Sequence, residues 1–213
     1  MPLTLIASLP TGKDPVGGIR ASIAKGESVK ILAISGSARQ LSTNTALLRA
    51  MQVIAPTGII VDVFDGIWDL PVFSPDLEGS EEPDNVRLFK QAISESDGIV
   101  VASPEYVRSI PGGLKNAIDW LVSGDQLIGK SIAIVHASHR GDDMLKILRT
   151  VLSTVSSNFN ESLFVRLPVM KETPELILEI LKAPSNRKMA ERFLVDFASF
   201  CQNRIVDGPA YQR

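Results

Sequence analysis

The chain has 213 residues, of which 45% are hydrophobic and 22% charged, and its formal net charge at pH 7 is −2. That length and balance suit one globular domain with a sizeable core and argue against general disorder. The near-neutral charge, without any long run of like charges, argues against nucleic acid as the main partner, which needs a concentrated basic face, and the single cysteine, Cys201, excludes an internal disulfide.

The opening residues MPLTLIASLP lack the positive start and the small-residue cleavage site of a secretory signal. No apolar run approaches the roughly 18 residues of a membrane span. A cytoplasmic protein with no membrane partner is expected. Residues 1–27 scatter Gly12, Gly17, Gly18 and Gly26 among Pro2, Pro10 and Pro15 with no sustained period. They are read as a flexible N-terminal extension, with the domain proper at 28–213. TGKDPVGG contains a Gly-Lys pair without the spacing of a phosphate loop.

From Val29 a regular alternation begins. VKILAIS predicts a strand, and residues 44–54 predict a helix with Leu47, Leu48 and Met51 on one stripe. IIVDVFD is a second strand, followed by the long loop GIWDLPVFSPDLEGSEEP. A helix over 84–96 aligns Val86, Phe89 and Ile93. GIVVAS is the third strand, GGLKNAIDWLVS a helix, and SIAIVHAS the fourth strand. Residues 142–155 form a helix with Leu145, Leu148 and Leu152 at helical spacing. ESLFVRL is the fifth strand, PELILEILK a short extra helix, and 186–203 a closing helix. Five short strands alternating with helices, several of them unbroken apolar runs, predict an α/β fold, a doubly wound parallel sheet covered on both faces. Ligands on such a sheet bind beyond the carboxyl ends of the strands, where the strand order reverses. The loops after strands one, three and four therefore carry the most information.

The first of these reads GSARQLSTN and offers Gly36, Ser37, Arg39, Ser42, Asn44 and Thr45. Outward-pointing backbone N–H groups, short hydroxyls and one forked cation are what a phosphate at a helix start needs. The dinucleotide pattern G-x-G-x-x-G is absent, so a mononucleotide phosphate fits better than a pyrophosphate. Ser42 or Asn44 equally serves as an ordinary helix cap, and a serine-rich loop alone does not decide between the two. The loop after strand three begins ASPEYVRSIPGG. Pro104 takes the chain out of the sheet, and Tyr106 offers an aromatic surface at the rim. Such a loop can hold a planar ring through its backbone, or Tyr106 can simply cover the edge of the core.

Taken together, these two segments resemble the NADPH-dependent FMN reductase family. Its first motif, G-S-x-R-x-x-S-x-N, is matched at Gly36, Ser37, Arg39, Ser42 and Asn44. Its second, roughly P-E-Y-N-x-S-x-P-G-x-L-K-N-A-I-D-W, is matched at Pro104, Glu105, Tyr106, Ser109, Pro111, Gly112 and from Leu114 to Trp120. The resemblance runs from about residue 28 to the C-terminus and implies a flavodoxin-like five-stranded sheet of order 2-1-3-4-5. It implies that Ser37, Arg39, Ser42 and Asn44 hold the FMN phosphate, and the adjoining Thr45, a hydroxyl of the same loop, is counted with them as a cofactor-binding candidate. Pro104, Glu105, Tyr106 and the amide of Val107 are implied to meet the ribityl chain and the ring edge, largely through the backbone. Val107 stands where the family usually has Asn, a change that a backbone contact survives and a side-chain hydrogen bond does not.

In the loop after strand four the family places a Ser and glycines near the flavin ring. Ser138 and Gly141 can serve there, although His139, Arg140, Asp142 and Asp143 make this loop bulkier and more charged. Arg140 can attract a 2′-phosphate or simply be solvated. His136 and His139 are not read as a metal site, because no Cys cluster supports them. Ser138 beside His139 is not read as a triad. Asp142 and Asp143 are read as first-turn acids favoured by the helix dipole.

The resemblance implies noncovalent FMN with NADPH or NADH as co-substrate and a small-molecule acceptor, whether quinone, azo compound, metal oxyanion or free flavin. It also implies a homodimer or homotetramer. No side chain is named as catalytic, since the cofactor supplies the reactivity. An FMN-binding electron carrier or redox sensor without productive NAD(P)H turnover is the alternative.

Overall fold

The computed structural model describes residues 28–203. The expected N-terminal extension lies outside the described residues. Five strands, β1 (Val29–Ser35), β2 (Ile59–Phe64), β3 (Gly98–Ala102), β4 (Ser131–His136) and β5 (Phe159–Arg166), alternate with helices. The helices are α1 (Thr43–Ile54), α2 (Asp84–Ser94), α3 (Gly112–Val122), α4 (Asp142–Val155), α5 (Pro174–Lys182) and α6 (Pro184–Gln202). All strand pairings are parallel, in the order β2-β1-β3-β4-β5. This is the doubly wound, flavodoxin-like arrangement anticipated from the sequence.

Strand alternation divides the apolar residues between two cores. Ile31, Ala33, Val100 and Val135 face one layer, built by α1, α5 and α6. Leu32, Ile34, Ile99, Val101 and Ile134 face the other, built by α2, α3 and α4. The helical stripes are all buried: Leu47, Leu48 and Met51 in α1, Val86, Phe89 and Ile93 in α2, and Leu145, Leu148 and Leu152 in α4. Cys201 is buried on α6 beside Phe197, and Phe193 stacks parallel to Phe197.

Prolines set several boundaries. α1 stops at Ile54 because Ala55 precedes Pro56 and takes an extended conformation. α5 and α6 both begin on a proline, at the position where a missing N–H costs nothing. α6 thus starts two residues before the expected boundary. β4 ends at His136, so Ala137 and Ser138 belong to the loop, and β5 begins earlier than expected, at Phe159, with an irregular register between Ile132 and Ile134.

The long segment after β2 contains three 3₁₀ turns, Ile67–Asp69, Pro75–Leu77 and Gly79–Glu81. α3 ties it down. Trp120 Nε1 donates to Pro71 O at 2.8 Å, Asn116 Nδ2 donates to Pro71 O at 2.9 Å, and Phe73 N donates to Asn116 Oδ1 at 2.8 Å. Asn116 and Trp120 of the second motif therefore hold the wall beside the sheet edge, and Phe73 meets Trp120 edge-on. Trp68, by contrast, stands exposed on that segment.

Candidate functional site

The parallel register brings the carboxyl ends of three strands into one row: Ser35 pairs with Ala102, and Ala102 with Val135. β2 lies on one side of β1 and β3 on the other, so the strand order reverses between β1 and β3. The crevice at that reversal is where such sheets take ligands. The loops after β1, β3 and β4 stand side by side along it.

The loop after β1 is wired through its own hydroxyls. Ser35 Oγ and Thr45 Oγ1 share a buried hydrogen bond of 2.8 Å. Arg39 N donates to Ser37 Oγ at 3.2 Å, and Thr45 N donates to Ser42 Oγ at 3.3 Å. Ser42 is thus the N-cap of α1, as the plainer reading of the sequence has it. The other first-turn N–H groups of α1 are left without intrahelical partners. Ser37, Ser42, Asn44 and Thr45 are all buried. Asn44 Oδ1 is buried with no hydrogen-bond partner in the described structure. Turning that amide over presents its NH2 group, the donor that a phosphate oxygen needs.

Gly36 permits the close turn. A Cβ there would lie 2.8 Å from Leu114 Cδ2 and 3.0 Å from Ser103 Oγ, while Gly36 N donates to Ala102 O at 2.7 Å. Arg39 is exposed and takes part in no ion pair among the described residues. Buried hydroxyls, an orphaned amide and an unneutralised guanidinium form a donor set that suits a phosphate dianion.

The loop after β3 reverses sharply at Tyr106–Ser109, where the two residues exchange backbone hydrogen bonds of 3.0 and 2.9 Å. The central residues Val107 and Arg108 both have positive φ, 50° and 59°. A two-residue reversal with both φ positive normally favours Asn and Gly. Val107 is a β-branched residue in that strained region, and it is 98% exposed. Its side chain supports nothing inside the protein, which leaves its backbone as the part that can serve the crevice. Pro104 is half-buried, and Tyr106 lies at the rim, half-exposed.

Glu105 does something that the sequence reading did not assign to it. Its Oε2 accepts from Met144 N at 3.1 Å. Gly141, the residue just before α4, supplies no side-chain cap, so Glu105 caps that helix from the neighbouring loop. A second tie joins the same two segments: Arg108 Nε to Asp143 Oδ2 at 2.6 Å. Asp142 pairs in turn with Arg166 at 2.5 Å, which holds the Asp142 carboxyl below the usual range. Asp142 and Asp143, read as helix-dipole acids, are also ion-pair partners.

In the loop after β4, Arg140 N donates to Ser138 Oγ at 3.0 Å, and the buried His136 ring hydrogen-bonds through Nε2 to Arg140 O. Gly141 adopts φ 99°, and a Cβ there would lie 2.9 Å from His136 Nε2. Since the carbonyl must accept, Nε2 carries the proton, and in the neutral ring Nδ1 is a buried acceptor without a partner among the described residues. Burial lowers the His136 pKa, opposed by the hydrogen bond to Arg140 O.

The structure therefore brings the loops bearing Ser37, Arg39, Ser42, Asn44, Thr45, Pro104, Glu105, Tyr106, Val107 and Ser138 to one edge. It also adds His136, Asp142 and Asp143 to the supporting framework. No residue spacing signals those added contacts, because each joins segments that are distant in sequence or depends on a loop's exact path.

A doubly wound sheet with a hydroxyl-lined, arginine-bearing turn at its switch point defines a flavodoxin-like mononucleotide-binding class. A family model described as NADPH-dependent FMN reductase matches residues 29–165. The chain belongs to that family. It is 36% identical over 115 residues to a quinone reductase of Escherichia coli K12, a match covering 53% of this chain and 61% of that protein. It is 44% identical over 92 residues to a 2-hydroxy-1,4-benzoquinone reductase of Burkholderia sp, covering 43% and 49% respectively. The matched segments thus span only about half to three-fifths of those relatives. Among solved structures, the flavoenzyme NAD(P)H:(acceptor) oxidoreductase FerB of Paracoccus denitrificans is similar with a TM-score of 0.64 and 25% identity, over 83% of this chain and 98% of that one. Among the described residues no helix is long and apolar enough to cross a membrane.

Proposed function

We propose that the chain is an NAD(P)H-dependent oxidoreductase that holds FMN noncovalently and delivers electrons to a small-molecule acceptor of the quinone class. The observation that carries this reading is the loop after β1. Ser37, Ser42, Asn44 and Thr45 are buried around a turn where, among the described residues, Asn44 Oδ1 has no partner and Arg39 no carboxylate to neutralise it. In this reading Arg39 and the buried hydroxyls hold the phosphate. The backbone of Pro104 to Val107 borders the ring, with Tyr106 at its rim, and Ser138 fixes the opposing loop through Arg140 N.

Bound there, FMN would supply the redox chemistry that links a reduced nicotinamide to the acceptor. The protein's own contribution is to position the ring and limit access to it, so no side chain is needed as an acid or base. The family relationship and the quinone reductase relatives support this assignment. A homodimer or homotetramer belongs to the same reading, with the exposed Trp68 and Val72 as a candidate subunit contact.

The test is the visible spectrum of the purified full-length protein, loaded with FMN, before and after anaerobic NADPH or NADH. A flavin spectrum that bleaches and then returns on addition of benzoquinone is expected. A protein that keeps FMN but bleaches with neither nucleotide is an electron carrier or sensor instead. A protein that does not bind FMN on titration overturns both readings.

A further inference from the structure

Nine arginines lie among the described residues, and seven of them sit in ion pairs. The two left over are Arg39 and Arg140, and both stand at the carboxyl edge of the sheet, in the loops after β1 and β4. A chain that pairs its other described arginines leaves these two charges open to an incoming anion.

The surroundings of Arg140 sharpen that observation. Asp142 and Asp143 follow it closely in sequence and Glu105 stands on the loop after β3, yet each carboxylate has another partner. Asp142 is held by Arg166 at 2.5 Å, Asp143 by Arg108 at 2.6 Å, and Glu105 accepts from Met144 N at 3.1 Å. The backbone of Arg140 is fixed from both sides: its N–H reaches Ser138 Oγ at 3.0 Å and its carbonyl meets the buried His136 ring. Gly141, at φ 99°, completes the turn. The guanidinium remains exposed. A rigid backbone presenting an unpaired, forked donor loses less freedom on binding than a mobile loop would.

We propose that Arg140 takes hold of a phosphate of the incoming nicotinamide dinucleotide. This rests on the reductase reading above. The two arginines stand on loops whose strands are two positions apart in the sheet, a spacing of about 10 Å, and they are assigned to different anions by the phosphate count. FMN has a single phosphate, which the β1 loop accounts for, whereas the dinucleotide brings a diphosphate bridge and, in NADPH, a 2′-phosphate. Both offer the same chemistry to a guanidinium: phosphate oxygens accepting forked hydrogen bonds.

The experiment uses the FMN-loaded full chain and its Arg140→Ala and Arg140→Lys variants. Calorimetric titration with NADP+ and with NAD+ reads binding without turnover, and steady-state kinetics with NADPH and NADH read KM against kcat. Arg140→Ala is expected to weaken NADP+ binding about tenfold or more, the scale of one charge-assisted hydrogen bond. The kinetic loss falls on KM rather than kcat, and Arg140→Lys recovers part of it. A loss confined to NADP+ assigns the 2′-phosphate, whereas equal losses for NADP+ and NAD+ assign the diphosphate bridge. Either supports the proposal. Unchanged affinity for both nucleotides in a variant that still holds FMN overturns it while leaving the reductase reading intact. A parent protein that holds FMN but neither binds nor oxidises either nucleotide overturns both.

Discussion

The loop after β1 and the loops after β3 and β4 occupy the same edge of the sheet, but the longest side-chain ties they make span very different distances along the chain. In the first, the bonds Ser35–Thr45, Ser37–Arg39 and Ser42–Thr45 all fall within ten residues. In the second and third, Glu105 reaches Met144 and Arg108 reaches Asp143, separations of 39 and 35 residues. A locally wired loop keeps its shape once its strand and helix are formed. A loop wired across the sheet has its shape only when the whole edge is assembled, and so it responds to changes in its neighbour.

Gly36→Ala strikes the local loop where it has least room and is expected to have the largest effect. The new methyl would lie 2.8 Å from Leu114 Cδ2, with Leu114 itself buried. Overpacking of this kind costs about 1–3 kcal/mol and displaces the donors that face the proposed phosphate. Urea unfolding should show the stability loss, and FMN titration a weakened affinity. Normal FMN binding by this variant would break the comparison, because the β1 loop would then be adaptable.

Glu105→Ala addresses the cross-wired loops. Removing the cap of α4 should cost about 0.5–2 kcal/mol. Glu105→Gln keeps an acceptor oxygen and should recover most of that, as judged by urea midpoints of the three proteins. If alanine and glutamine behave alike, the carboxylate's charge rather than its hydrogen bond to Met144 N ties the two loops together.

The third effect is a slope in pH. Burial, the largest influence, lowers the His136 pKa, and Arg166 lowers it further, while the hydrogen bond to Arg140 O and the charges of Asp142 and Glu105 oppose this. The unfolded chain takes up a proton near the ordinary histidine value of about 6.5, which the folded chain refuses until the pH is lower. Stability is therefore full above that value and falls as the pH drops below it, by at most roughly 1.4 kcal/mol per pH unit. Urea midpoints at pH 7.5 and 5.5, compared between the parent and His136→Asn, should show a shallower acid slope in the variant.

The same distinction explains what was legible in the sequence. Strand alternation and helical stripes depend on neighbouring residues, so VKILAIS and the stripe of Leu145, Leu148 and Leu152 could be read directly. The β1 loop was legible for the same reason: its donors, its cap and its arginine lie within one short segment. Its buried amide at Asn44 was not, since burial is set by the packing around the turn. The roles of Glu105, Arg108 and Asp143 were hidden because their partners belong to other loops, and only the in-register ends of β3 and β4 bring them together. The helix-dipole reading of Asp143 was sound as far as local physics goes, but it missed an ion pair set by topology. Val107 shows the converse. Its departure from the family's Asn was visible, but the positive φ that makes the departure costly required the traced turn.

The two tryptophans of this chain occupy opposite environments. Trp120 is fully buried, its indole N–H donating to Pro71 O, whereas Trp68 is 63% exposed on the segment after β2. Emission from the intact protein should accordingly divide into a blue component inaccessible to acrylamide and a red component that acrylamide quenches readily. The first colour reports whether the interior is intact, and the second whether anything has settled on that outer segment, so one spectrum can separate melting from docking without any added label.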